Sequence, residues 1–414
     1  MYKVILLIVL DAVILQPIRL ILGFLARFTW IKPKVDKYFI NSNNYIKTYY
    51  NNLVKKIPEL VNRLDKNKYG LDDDSAKFLG MLYAALYLDY RLENNKFKEQ
   101  RENFLRLVTE DGKLKRNLKE PYPEDCPDFS TDMLSGFMLG VYASLQDSDK
   151  TEEGINKLAK VWDNCTFKKF PLLVDSYKRG KKLFGRGHVY RFWWVLGCEE
   201  ILMALTWLML GYKVTNQKRY LVCYKLLKWL ELPSLLLTCP DAQIKLGNII
   251  YLSAHNTHSR LLINFVGHEL TGSYLFKRAI KVAYKRHGEY NADVRVIALN
   301  SLPLKDLLKL SKEKNIKKWK INTCNLILNT LNKGLMESPK NMNYLVLSLP
   351  PKIKKYSKNI PTPTFRGNDY IWERNPLYGY VYDNKTRKKL CLDIIFPVCL
   401  LDYYITSVGY FYKY

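Results

Sequence analysis

Between residues 39 and about 336, apolar side chains recur at three- and four-residue spacing and are separated by short polar breaks, a pattern that predicts a succession of helices. Asp72-Asp73-Asp74-Ser75 supplies N-capping groups, and Ala76, Leu79, Leu82, Tyr83, Leu86 and Tyr87 then trace one apolar helical face. A charged helix through Glu99 to Val108 answers it. The same two strokes recur, with an apolar helix capped by Asp128 to Asp132 and reaching Leu145, then a more polar return from Glu152 to Trp162. A third apolar helix is predicted from about Tyr190 to Leu210, answered by Lys218 to Leu230. Further helices are predicted over Asp241 to Leu252, from near His258 towards Tyr284, over Asn291 to Asn300 and over Lys305 to Leu335. Apolar helices need protein all round them and amphipathic ones face water on one side. The predicted fold is therefore all-α, an array of helical hairpins closing into an (α/α) toroid or barrel. No exact repeat is visible, so a solenoid of identical units does not fit.

Past Met336 the texture changes. Pro350, Pro351, Pro361 and Pro363 with the bases of Lys352 to Lys358 predict an irregular C-terminal portion, followed by an aromatic run from Tyr370 to Tyr380 and a last apolar segment, Leu390 to Tyr404, which Pro397 is placed to kink. The chain divides into a hydrophobic N-terminal segment (1–38), a helical toroid-like domain (39–336) and a C-terminal portion packed on it (337–414).

The N-terminal segment, Val4 to Trp30, is long enough to cross a bilayer only if it is continuous. Asp11, Pro17, Arg19 and Arg27 interrupt it, and Pro17 divides it into two shorter helices, the second amphipathic. It reads as a membrane-embedded or interfacial anchor, or as a helix packed on the protein's own body. A cleaved export signal fits least, because no small-x-small cleavage site follows. Lys32, Lys34 and Lys37 follow the segment against Lys3 before it, so a spanning segment would leave the main body on the cytoplasmic side. The alternatives are a soluble cytoplasmic chain or a virion component.

Composition sharpens the choice of partner. Of the 414 residues, 66 are Lys or Arg against 39 Asp or Glu, a formal charge of +27. Such a surplus either draws an anionic partner (acidic glycan, lipid head groups or nucleic acid) or serves only solubility. The eight cysteines are scattered without a C-x-x-C pair, so reduced thiols are expected and neither a zinc ribbon nor a thioredoxin-like site is indicated. Walker, G-x-G-x-x-G, G-x-S-x-G and H-E-x-x-H motifs are all missing. No metal or cofactor is expected.

Four polar clusters remain as candidate chemistry. Asp128 and Asp132 head an apolar helix, placed either to work as acid or base on a sugar or to cap the helix. His255-Asn256-Thr-His258-Ser-Arg260 concentrates donors for an anion, while His268 lies about 15 Å further along a continuous helix and cannot share a ligand with His258. Arg366, Asp369, Trp372 and Glu373 crowd a C-terminal loop. Tyr190, Arg191 and Trp193 mix cationic donors with stacking surface, as either a binding rim or a basic turn leading into a buried helix.

The helix starts Asp128-Phe-Ser-Thr-Asp132-Met-Leu-Ser-Gly136-Phe-Met-Leu-Gly140 and His255-Asn256-Thr-His258 resemble, over residues 70 to 300, the inner helices of α/α-toroid carbohydrate-active enzymes. The resemblance implies a sugar cleft at the inner-helix ends. A polysaccharide lyase of this kind would use Asn256 and Arg260 on a uronate carboxylate, His258 as base and Tyr190 as acid. A glycoside hydrolase would pair Asp132 with Asp369 or Glu373, and Asp128, Arg191, Trp193, Arg366 and Trp372 would line the cleft. Three functions are thus in competition: a glycan-active or glycan-binding toroid acting on an acidic polysaccharide, a non-enzymatic membrane-associated or virion assembly protein, and a nucleic-acid binder with a basic aromatic surface.

Overall fold

A computed structural model describes residues 75–88, 94–118, 131–147, 149–167, 198–237, 242–245, 248–251, 254–288, 292–333, 344–348, 352–356, 396–401 and 403, together with positions 2, 5, 9, 13, 14, 17, 20 and 21. Twelve helices are described: α1 (Ser75–Leu88), α2 (Asn94–Arg106), α3 (Thr131–Gln146), α4 (Glu152–Cys165), α5 (Cys198–Thr215), α6 (Lys218–Leu230), α7 (Leu232–Leu237), α8 (Ala254–Thr271), α9 (Tyr274–His287), α10 (Ala292–Ser301), α11 (Leu304–Ser311) and α12 (Ile316–Lys333). The described body is mostly helical, as the apolar spacing predicts.

Two kinds of helix alternate. Residues 76–86 of α1, 133–141 of α3, 201–211 of α5, 258–267 of α8 and 293–299 of α10 are buried on every side. Helices α2, α4, α6 and α9 bury one face and expose the other. Each apolar helix packs against the amphipathic helix beside it in sequence, and all share one hydrophobic core. The C-terminal segment 396–401 enters that core, where Phe396 meets Phe265 edge-on with ring centroids 5.5 Å apart.

Four of the buried helices run parallel. Lys77 and Gly80 of α1 lie against Gly136 and Gly140 of α3, and Tyr87 near the end of α1 donates to the Gln146 carbonyl at the end of α3. Ser259 and Glu269 of α8 meet Lys77 and Tyr142 in the same order. His258 and Glu269 meet Asp293 and Asn300 of α10 likewise. The α1–α3 contact is backbone on backbone: a Cβ at Gly80 would overlap the Gly136 carbonyl, and one at Gly136 would overlap the Lys77 carbonyl. An aromatic stack crosses five helices, from Tyr83 through Phe104, Phe137 and Trp162 to Trp207, with successive centroids 5.5, 5.6, 6.2 and 4.2 Å apart. Both indoles in it are hydrogen-bonded, Trp162 Nε1 to the Trp207 carbonyl and Trp207 Nε1 to Thr166 Oγ1, each at 2.9 Å.

Four expectations are corrected. The helix predicted over Asp241 to Leu252 is an antiparallel pair, β1 (Ala242–Lys245) and β2 (Asn248–Tyr251). Lys245 faces Asn248, which leaves only Leu246-Gly247 as the connection, and a two-residue link with glycine favours a hairpin. Strands β3 (Tyr344–Ser348) and β4 (Lys352–Tyr356), in the portion read as irregular, extend this pair to an antiparallel sheet in the order β1-β2-β3-β4. The helix predicted from His258 to Tyr284 is broken at Gly272, whose φ of +60° suits glycine, and Ser273 then caps α9 by accepting from the Leu275 amide. The Lys305 to Leu335 helix is likewise two, divided where Lys312 takes the left-handed conformation.

Among the described residues, no helix is long and apolar enough to cross a membrane. Positions 2, 5, 9, 13, 14, 17, 20 and 21 are helical; the rest of the predicted anchor lies outside the described residues. Cys223 and Cys324 are buried free thiols, and Cys399 is buried as well.

Helix α12 carries a titration that should govern stability in mild alkali. Burial pushes the Lys320 amine from its ordinary 10.5 down to about 8, and burial pushes the Cys324 thiol from 9.0 up to about 12. Between pH 8 and 10.5 the unfolded chain binds a proton at residue 320 that the folded chain has released, so this group makes stability rise with pH. Above pH 9 the thiol acts in the opposite sense, since only the unfolded chain loses that proton. Chemical denaturation at pH 7.5 and pH 9 should therefore show greater stability at pH 9, and Lys320→Met should abolish most of the difference.

Candidate functional site

The parallel alignment of α1, α3, α8 and α10 brings their N-terminal ends to one end of the body. Lys77 is the third residue of α1, Asp132 the second of α3, Asn256 and His258 the third and fifth of α8, and Asp293 the second of α10. Parallel helices sum their dipoles at the shared end, so that end carries a positive potential.

The side chains there are unusually polar for a helical core. Lys77, His258 and Asp293 have no solvent exposure, and Ser259, Arg260 and Asn264 are buried. Lys77 Nζ donates to Ser259 Oγ at 2.8 Å, joining α1 to α8. His258 Nε2 lies 3.8 Å from Asp293 Oδ2, joining α8 to α10. Residues 116 and 117 cross the same end: the Ala76 amide at the start of α1 donates to the Arg116 carbonyl at 3.0 Å, and both Arg116 and Asn117 are buried. The Asp293 carboxylate, in the first turn of α10, also lies where a helix dipole favours negative charge.

Beside this layer sits a second buried charge centre that is fully accounted for by structure. Arg295, on the second turn of α10, holds both Glu313 carboxylate oxygens through Nη2 at 2.9 and 3.0 Å, Thr323 Oγ1 through Nε at 2.7 Å and the Gly288 carbonyl through Nη1 at 3.0 Å. Its guanidinium lies 5.1 Å from the Trp319 ring centroid, and the Trp319 indole donates to Tyr284 Oη at 2.6 Å. Every arm of the arginine is used to tie α10 to α9, α11 and α12.

At the opposite end, where the parallel helices finish, the polar contacts also close helix ends. Asp147 accepts from Tyr83 and Arg101, and Glu269 accepts from Tyr142 and Asn300. Burial, with Glu269 next in importance, pushes the Tyr142 phenol well above its ordinary range, so it stays a hydrogen-bond donor there.

Of the residues expected from the sequence, Asp132 stands in the first turn of α3 and Asn256, His258 and Arg260 in the first two turns of α8, and these two helices are in contact. His268 stands at the far end of α8, separated from His258 as its position along one helix requires. Burial lowers its affinity for a proton. Asp128, Tyr190, Arg191, Trp193, Arg366, Asp369, Trp372 and Glu373 lie outside the described residues. Lys77 and Asp293 were not expected from the sequence, and no local signal marks them, since each is an ordinary residue in a helical run, whereas Ser259 lies inside the His255 to Arg260 cluster. Among the described residues, no cluster of histidine, cysteine and acid is arranged to hold a metal ion. Compared with family models, with curated proteins and with solved structures, the chain matches none.

Proposed function

We propose that the chain binds and cleaves an acidic polysaccharide at the N-terminal end of its parallel buried helices, and that its hairpins close into an (α/α) toroid around that end. The observation that carries this reading is the layer Lys77, Ser259, His258 and Asp293, sequestered from water where helix starts meet. Buried ionisable groups cost stability compared with a well-packed apolar core, so their collection where four helix starts meet favours a site over a scaffold. Summed helix dipoles together with Lys77 and Arg260 suit a carboxylate-bearing sugar.

Asn256 stands two residues closer to the start of α8 than His258, and Asp132 occupies the equivalent turn of α3. In this reading Asp132 and Asn256 contact the sugar. Because His258 is sealed from solvent, it serves as a positioning residue, held by Asp293 beneath the ligand.

The test is incubation of the full chain with uronate-bearing and sulfated polysaccharides, following both the absorbance of unsaturated uronate and the appearance of reducing ends. The first product signals a lyase and the second alone a hydrolase. Asp132→Asn is expected to lower kcat about 100-fold or more with little change in melting temperature. Failure to bind or cleave any acidic polysaccharide, with the fold intact, would remove the reading.

A further inference from the structure

A different face carries a second, independent inference. Helices α6 and α9 contain no acidic residue along their whole length, against four bases in α6 and five in α9. On α6 the buried face is Tyr220, Cys223, Tyr224 and Leu227. The face opposite presents Lys218, Val222, Lys225 and Trp229, spaced four, three and four residues apart, all exposed. Trp229 is 71% exposed, whereas Trp162, Trp207 and Trp319 are buried in the core.

The neighbouring elements continue this surface. Helix α7 turns outward with Leu237 at 51% exposure and Leu236 beside it, and α9 begins with Tyr274 at 64% exposure followed on the same side by Lys281 and Lys285. Arg278 of α9 donates to the Leu235 carbonyl of α7, and α7 follows α6 with only Glu231 between them, so the three helices adjoin. Among the described residues two acids stand at the edges of this surface, Asp306, which holds Lys281 at 2.9 Å, and Asp163, which holds Arg219 at 2.8 Å.

We propose that this surface docks on an anionic lipid bilayer, with Trp229, Leu237 and Tyr274 entering the interface and the lysines reaching the head groups. Charge complementarity selects this occupant. A second copy of the chain would bring one acid-free lysine face against another. Protein-binding surfaces deplete lysine from their centres, yet here lysine alternates with the apolar side chains along a single helix stripe. Nucleic acid accounts for the bases but not for exposed leucine and valine, which gain nothing from phosphate. A bilayer interface accommodates both, since indole and phenol sit at head-group level while lysine stems lie along apolar surface with their ammonium groups in water.

The experiment uses the full chain with vesicles of phosphatidylcholine, with and without phosphatidylserine, and with brominated lipid as a depth-limited quencher. Sedimentation with the phosphatidylserine vesicles is expected, with quenching of a fluorescence component that Trp229→Phe removes. Trp229→Ser/Leu237→Ser and Lys218→Glu/Lys225→Glu should each weaken binding at least about tenfold, and their exposed positions leave the melting temperature near that of the parent. Vesicle binding undiminished in both variants would overturn the proposal by placing lipid contact elsewhere, for example on residues 4–30. So would absence of vesicle binding, or duplex RNA binding lost in the lysine variant while neither protein sediments with vesicles. The outcome is separate from the glycan assay, because none of these side chains belongs to the layer around Lys77 and His258.

Discussion

Gly136→Ala is expected to destabilise the folded protein by about 3 kcal/mol, at the upper end of the range for overpacking a well-packed core. Helix propensity alone works the other way, favouring alanine over glycine in a helix by about 1 kcal/mol, so a loss of this size has only the tertiary contact as its cause. The added methyl would overlap the Lys77 carbonyl and crowd the Lys77 backbone. Backbone does not move aside as a flexible side-chain tip does, so α1 and α3 must separate. Separation also opens the next contact, where Gly140 lies under the Phe104 ring and against Gly80. Because the clash is at Lys77 itself, the Lys77–Ser259 bond to α8 should weaken with it, and polysaccharide binding should fall further than stability alone requires. Chemical denaturation measures the first effect and a binding isotherm the second. Unchanged or increased stability would show that the two helices do not meet through their backbones.

Arg295→Met is the second large effect, expected to cost about 3–5 kcal/mol because it leaves the Glu313 carboxylate in a buried site without its main counter-charge. Asn322 still donates to Glu313 at 2.8 Å, which limits the loss without cancelling a buried negative charge. Removing the acid as well separates the ion pair from the packing. Arg295→Met/Glu313→Leu should be more stable than Arg295→Met alone, since replacing both members of a buried pair with apolar groups is far less costly than breaking it. A double variant whose loss equals the sum of the two single losses would mean that the arginine acts through packing on Trp319 and not through the ion pair.

The sequence made individual helices legible to different degrees, for identifiable reasons. Helix α6 runs from Lys218 to Leu230 as its apolar spacing predicts, and α4 begins at Glu152, where Thr151 caps it. The β1–β2 pair was not legible, because four-residue segments such as Ala242-Gln243-Ile244-Lys245 are too short to distinguish a two-residue period from a helical one. The breaks at Gly272 and Lys312 were hidden for another reason. A lone glycine is tolerated inside a helical pattern, and lysine rarely signals a left-handed turn.

The candidate site divides along the same line. Asp132, Asn256 and His258 stood out because polar residues concentrated at the start of an apolar helix are visible locally. Lys77 and Asp293 did not, since each follows ordinary capping residues in its own helix. Lys77 and Ser259 are 182 positions apart in sequence, and nothing in either segment encodes the other.

What the sequence by itself determined is the helical character of most of the body, the buried and exposed faces of individual helices such as α6, the acid-free composition of two outer helices and the basic charge. These are properties of short stretches, fixed by periodicity and composition. The tertiary structure alone decided that four buried helices run parallel, that glycines let α1 and α3 touch along their backbones, and that Lys77, Ser259, His258 and Asp293 therefore share one buried layer. Parallel alignment of helices distant in the chain depends on packing and loop closure, which no local period records.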